Sequence, residues 1–138
     1  MSTRQTYMMN FVRRQAIDTE KSGNAKIAAC IAIKNQIISV GANSLRTHPM
    51  AVKYCRHKDA IYLHAEISAI SRALNHISKN DLKRATLYIH RVKRPTAFSS
   101  DWVDGLSLPC KGCMSAIAAF EIKKVVYSTD TNGVYEAL

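Results

Sequence analysis

The chain has 138 residues, 47% hydrophobic and 22% charged, with a formal net charge of +10. That is enough apolar content for one globular domain over residues 1–138, and it excludes a disordered polyelectrolyte. No apolar run approaches the length of a membrane span, and residues 1–15 lack the apolar centre of a secretion signal. A cytoplasmic protein with no membrane partner is expected, whose four cysteines act as thiols or metal ligands, not as a disulfide framework.

The charge is uneven. Residues 1–58 hold ten Lys/Arg against Asp18 and Glu20, a balance of +8, whereas residues 59–138 hold ten against eight acids, a balance of +2. Arg46, Lys53, Arg56 and Lys58, with His48 and His57, fall in one loop-like stretch. Such a run is either a solvated basic surface or a rim that attracts phosphate, from a nucleotide or a nucleic-acid backbone.

In chain order, residues 3–21 predict an amphipathic helix with Tyr7, Met8, Phe11, Val12 and Ala16 near helical spacing, and Gly23 as its C-terminal cap. Residues 25–34 and 36–40 are apolar, β-branched runs around Lys34-Asn35-Gln36, as in a hairpin. Cys30 lies within the first and reads as a buried thiol. Gly41-Ala42-Asn43-Ser44 ends the second strand, and residues 45–59, with Pro49, read as a loop. Leu63-His64-Ala65-Glu66-Ile67 then opens a helix with Leu63, Ile67, Ile70 and Leu74 on one face. A polar connection at 75–83 leads to a strand at 85–92.

Residues 91–107 carry Pro95, Phe98, Trp102 and Gly105, and fit a lid, a substrate-selecting loop, an oligomer contact or a packed insertion. Pro109-Cys110-Lys111-Gly112-Cys113 opens another helix, ending near Phe120-Glu121. A strand at 123–128 follows, then a turn at Thr131-Asn132-Gly133 and a short edge-like run at Val134-Tyr135. The alternation gives the α/β class.

The chemistry concentrates in the two helix starts. His64 and Glu66, two residues apart, can flank one point at a helix N-terminus, and the i, i+3 spacing sets Cys110 and Cys113 on one side of a first turn. One imidazole and two thiolates are zinc ligands that leave one position of a tetrahedron over. A closed structural site, completed by Cys55 or His57, is the competing arrangement, and it gives Glu66 no purpose. His48, His76 and His90 show no partner pattern.

His64-Ala65-Glu66 followed by Pro109-Cys110-Lys111-Gly112-Cys113 resembles the zinc-dependent cytidine and deoxycytidylate deaminase superfamily, over roughly residues 25–128. The resemblance implies a three-layer α/β/α fold around a mixed sheet of four or five strands. It implies zinc on His64, Cys110 and Cys113, and Glu66 as the proton shuttle. Asn43 is expected at the sugar hydroxyl and the Ala65 backbone at the base. Apart from the resemblance, Tyr127 and Trp102 are candidate stacking surfaces, and Trp102, an aromatic in a long loop, reads first as a packing anchor. Homo-oligomers are common in such folds.

The implied substrate is a free cytosine nucleotide, (deoxy)cytidylate, although Ser68 stands where H-A-E-x-N-A-I has Asn. Cys113-Met114-Ser115-Ala116-Ile117 also loosely fits the tRNA adenosine deaminases. With the basic front half, this keeps a polynucleotide substrate as the alternative, and a non-catalytic zinc module as a third.

Overall fold

Strand β1 (Ala25–Ile33) is apolar on both faces, which suits only a strand covered from two sides. The computed structural model describes residues 2–19, 25–44, 49–54, 64–96 and 98–138. In it β1 pairs antiparallel with β2 (Gln36–Ala42) and with β3 (Thr86–Lys93). Beyond β3 come β5 (Lys124–Ser128), parallel to β3, and β6 (Tyr135–Ala137), antiparallel to β5. The short β4 (Val103–Gly105) pairs antiparallel with the end of β3. The order is β2-β1-β3-β5-β6 with β4 off that path, a mixed sheet of six strands where four or five were expected. The edge-like run read at Val134-Tyr135 is β6; the three-residue β4 makes the difference, and three residues are too few to show a period-2 pattern.

Helix α1 (Thr3–Asp18) covers one face of the sheet. Its Met8, Met9, Val12 and Ala16 pack with Ala28, Cys30, Ala32, Tyr88, Val92 and Val126. Met9 is buried where Tyr7 was expected inside, and Tyr7 is 66% exposed. Ser2 and Gln5 close a capping box at its start. At its end Lys26 Nζ donates to the carbonyls of Ile17 and Thr19. The cap residue is Thr19; Gly23 lies outside the described residues.

On the other face lie α2 (Pro49–Tyr54), α3 (Ala65–Ala73) and α4 (Lys111–Ala119). They bury Ala51, Ile67, Ile70, Ala116 and Ile117 against Ala29, Ile31, Leu87, Ile89 and Val125. Helix α2 corrects the loop expected at 45–59: Pro49 takes the first helical position, where a missing N–H costs nothing. Cys30 sits inside the α1 layer, and burial pushes its thiol up to about 12, so it is unreactive. No helix among the described residues is long and apolar enough to cross a membrane.

The α1 layer also holds a polar knot. Asp104 on β4 accepts from Arg13 Nε at 2.9 Å and from the Gly133 N–H at 2.8 Å, while His90 Nε2 stands 3.5 Å away without hydrogen-bond geometry. Burial drives the His90 imidazole from its ordinary 6.5 down to about 4, against the attraction of Asp104. The fold therefore keeps this group's full contribution above about pH 6.5. It loses that contribution as the pH falls toward 4, because the unfolded chain takes up a proton that the folded chain refuses. By pH 5 the loss is about 2 kcal/mol. Urea midpoints at pH 7 and pH 5 should accordingly lie closer together in His90→Gln than in the wild type; an unchanged separation would show that His90 does not titrate this way.

Candidate metal centre

Since β2 and β3 both run antiparallel to β1, and β5 runs parallel to β3, the strands β2, β3 and β5 share one direction. Helices α3 and α4 both begin at the carboxyl ends of these strands, the edge of an α/β sheet at which ligands bind. His64 is the N-cap residue of α3 and Cys110 that of α4, so the two motifs meet as two helix starts. The Cys110 Sγ accepts the Cys113 N–H at 3.5 Å, filling the cap with a sulfur.

The His64 Nδ1 lies 3.5 Å from Cys110 Sγ and 3.3 Å from Cys113 Sγ, and the three ligand atoms fall within 4.8 Å of one another. With zinc bonds of about 2.3 Å to sulfur and about 2.0 Å to nitrogen, a tetrahedral ion needs N···S separations of about 3.5 Å. The side chains are thus spaced for zinc, with Nδ1 as the ring atom offered. Hydrogen bonds from Cys113 and His64 hold the Cys110 thiol far below its ordinary range, favouring the thiolate that a metal takes. Cys55 and His57, the alternative fourth ligands, lie outside the described residues.

Glu66 sits in the first turn of α3, buried to 6% exposure. Burial is the largest influence on its carboxyl and raises it, opposed by hydrogen bonds from its own N–H and the Cys113 thiol and by the nearby His64. It therefore stands against the ligand cluster. Ala65, beside it, is buried in the first turn of α3.

Asn43 follows β2 at the same sheet edge. Its N–H donates to Ile27 C=O and its Oδ1 accepts the Ile27 N–H, which fixes the side chain against the start of β1. Tyr127, near the end of β5, packs in the α3/α4 layer and donates its hydroxyl to Glu136 at 2.8 Å. Trp102 does not join the site. It packs in the α1 layer across the sheet, with Lys26 and Arg94 over its ring at 4.9 Å, and its carbonyl accepts from Arg13. A long-loop tryptophan here anchors the insertion. Of the basic stretch, only Lys53 is described; Arg46, Arg56, Lys58, His48 and His57 lie outside the described residues.

Two features of the site were not read from the sequence. Gly41, a strand end by its sequence, lies inside β2, where a Cβ would come within 2.7 Å of Ala65 O and 2.5 Å of Ala69 N. An isolated glycine in a β-branched run is the signal for such a close approach. The buried, hydrogen-bonded serine pair Ser107 and Ser128 carries no sequence signal at all.

Several solved structures share this fold, two of them dCMP deaminases. The dCMP deaminase from the cyanophage S-TIM5 in apo form is 17% identical with a TM-score of 0.54, covering 97% of this chain and 90% of that one. The dCMP deaminase from the same phage in complex with dCMP and dUMP is 17% identical with a TM-score of 0.51, covering 92% and 82%. No curated protein matches the chain. The sequence model of the cytidine and deoxycytidylate deaminase zinc-binding region matches residues 1–129, a span that takes in both helix starts. With that match over an imidazole and two thiols spaced for zinc, the chain belongs to the cytidine and deoxycytidylate deaminase family of zinc-dependent hydrolases.

Proposed function

We propose that this chain hydrolyses a free cytosine nucleotide, (deoxy)cytidylate, to (deoxy)uridylate and ammonia. The observation that carries the reading is the buried Glu66 carboxyl set against a three-ligand cluster to which it need not contribute. The substrate class draws support from the similar phage enzyme, whose complex holds dCMP and dUMP.

His64, Cys110 and Cys113 hold the metal in this reading. Zinc bound there supplies a water acidified toward neutrality as the nucleophile. Glu66 would move the protons: its carboxylate would take one from the attacking water and pass it to the ring nitrogen as the oxygen bonds to C4. It would then take the remaining proton from the new C4 hydroxyl and deliver it to the exocyclic amine, so that C4=O forms as the C4–N bond breaks and ammonia leaves. Burial favours the protonated form of Glu66, which suits a group that must both accept and return a proton near neutral pH. Asn43, with Oδ1 already engaged, offers its Nδ2 to a sugar hydroxyl, and the Ala65 backbone at the start of α3 meets the base.

The basic front half keeps a base within a polynucleotide as the second reading. Ammonia release from the zinc-loaded protein, measured on nucleosides, nucleotides and short single strands, separates the two. The proposal expects turnover of cytosine monophosphates with a weak response to salt. Turnover confined to single strands, falling steeply between 50 and 200 mM salt, would replace it with the polynucleotide reading. No ammonia from any of them would leave zinc in a structural role.

A further inference from the structure

We propose that Ser107 is a positioning residue that sets where Cys110 enters its helix. The inference rests on the reading of His64, Cys110 and Cys113 as the zinc ligands.

Strand β3 changes partners along its length. From Thr86 to Ile89 it pairs with β5, and from Arg91 to Lys93 it pairs with β4. Between the two pairings β5 and the segment after β4 diverge, and a fork opens at the carboxyl end of the sheet. Backbone polar groups inside such a fork lose regular partners and must find others, because both serines there are buried.

Side-chain hydroxyls fill the gap. Ser107 Oγ accepts the Ser128 N–H at 2.8 Å and donates to Ile89 C=O at 2.9 Å, bridging the last rung between β3 and β5. The Ser107 N–H donates to Ser128 C=O at 3.0 Å. Ser128 Oγ accepts the Arg91 N–H at 3.0 Å, and its single proton serves Gly105 C=O at 2.6 Å or Ser107 Oγ at 2.8 Å. One residue earlier, the Leu106 N–H is held by Asp130 Oδ1 at 3.0 Å.

The chain is therefore pinned at Leu106 and Ser107, and only Leu108 and Pro109 separate this anchor from the first thiol. Proline fixes one of the torsions on that path, so little slack remains to absorb a displaced anchor. Without the Ser107 hydroxyl, the Ile89 C=O and Ser128 N–H are unsatisfied or close directly on each other. Either outcome shifts the start of α4 relative to His64. Groups hydrogen-bonded directly to a metal ligand typically change metal affinity by 10- to 100-fold when removed, and a displaced helix start is expected to act on the same scale.

The test is the zinc dissociation constant of the purified chain, by competition with a chromophoric chelator, beside its thermal midpoint. Ser107→Ala is expected to weaken zinc binding about 10- to 100-fold, and Ser107→Thr, which keeps the hydroxyl, to recover most of it. Val12→Ala, a loss of packing in the opposite layer, should lower the midpoint and leave zinc affinity unchanged. Ser107→Ala binding zinc as tightly as wild type would overturn the proposal, as would an equal weakening in Val12→Ala. If Ser107→Ala does not fold, Ser128→Ala, which removes the partner hydroxyl, carries the same comparison, and unchanged affinity overturns the proposal there too. A wild-type chain that binds no zinc would instead sink the underlying assignment of ligands.

Discussion

Glu66→Gln is expected to keep its fold and its zinc while turnover falls by about 10²- to 10⁴-fold, the usual reach of a positioned proton-transfer group. The substitution is nearly isosteric, so the buried space beside Cys113 stays filled. It removes only the capacity to accept and return a proton. The effect on stability has a definite sign. A carboxyl whose folded pKa is raised by burial costs the fold stability once the pH exceeds its unfolded value, because the unfolded chain ionises more freely. A neutral amide lacks that cost, so with zinc removed from both proteins the variant should melt no lower than the wild type at pH 7. Metal content by mass spectrometry, a thermal melt and ammonia release together decide the matter. Undiminished turnover removes Glu66 from the chemistry. Loss of zinc would mean that the carboxylate is itself a ligand.

Gly41→Ala should do the opposite, damaging fold and metal site together. The added Cβ would meet Ala69 N at 2.5 Å and Ala65 O and Ser68 Cβ at 2.7 Å. Two of these are backbone atoms of α3, held by their own helix, so they cannot step aside as a side-chain end can. Overpacking of this kind costs about 1–3 kcal/mol, and Gly41 belongs at the upper end because strand and helix must part. That separation would move the first turn of α3, which follows His64 and contains Glu66, so zinc affinity should fall with stability. The other glycines calibrate the argument. At Gly105 a Cβ would touch only the flexible side chains of Arg91 and Lys93, at 3.2 Å and beyond. Gly133 opens onto free space but has φ +75°, a conformation for which alanine costs about 1 kcal/mol. Urea unfolding should rank Gly41→Ala well below both; equal midpoints would refute the close approach of β2 to α3.

Ser68 belongs to the same contact. Its Cβ faces the Gly41 position, so the departure from the family's Asn lies on the side of α3 that packs against β2. That gives a packing reason for a small residue there.

The metal ligands were legible because their spacing is a property of one helical turn. Cys110 and Cys113, or His64 and Glu66, keep their relation wherever the helix is placed. The central strands were legible because β1 carries a long apolar run and β3 opens on Leu87-Tyr88-Ile89. What failed to show depends on partners distant in sequence. Tyr7 and Met9 both fit the spacing of α1, and only the sheet beneath decides that Met9 is inside. Trp102, just before β4, packs on the α1 side as the anchor expected of an aromatic in a long loop, but the side of the sheet it reaches is set by the pairing of β4 with β3. The serine fork is invisible in one dimension, since Ser107 and Ser128 are ordinary loop and strand-end residues until β3 changes its partner between them.

The clustering of His64 with Cys110 has a mechanical consequence. These residues are 46 positions apart, and an ion gripped by both pins the two together across that length of chain. By the chain-entropy argument for covalent bridges, closing a loop of this size is worth about 4 kcal/mol against the unfolded ensemble. A metal recruited for chemistry thus doubles as a staple between the two halves of a small domain, and stripping it loosens the frame that holds the substrate as well as stopping the reaction.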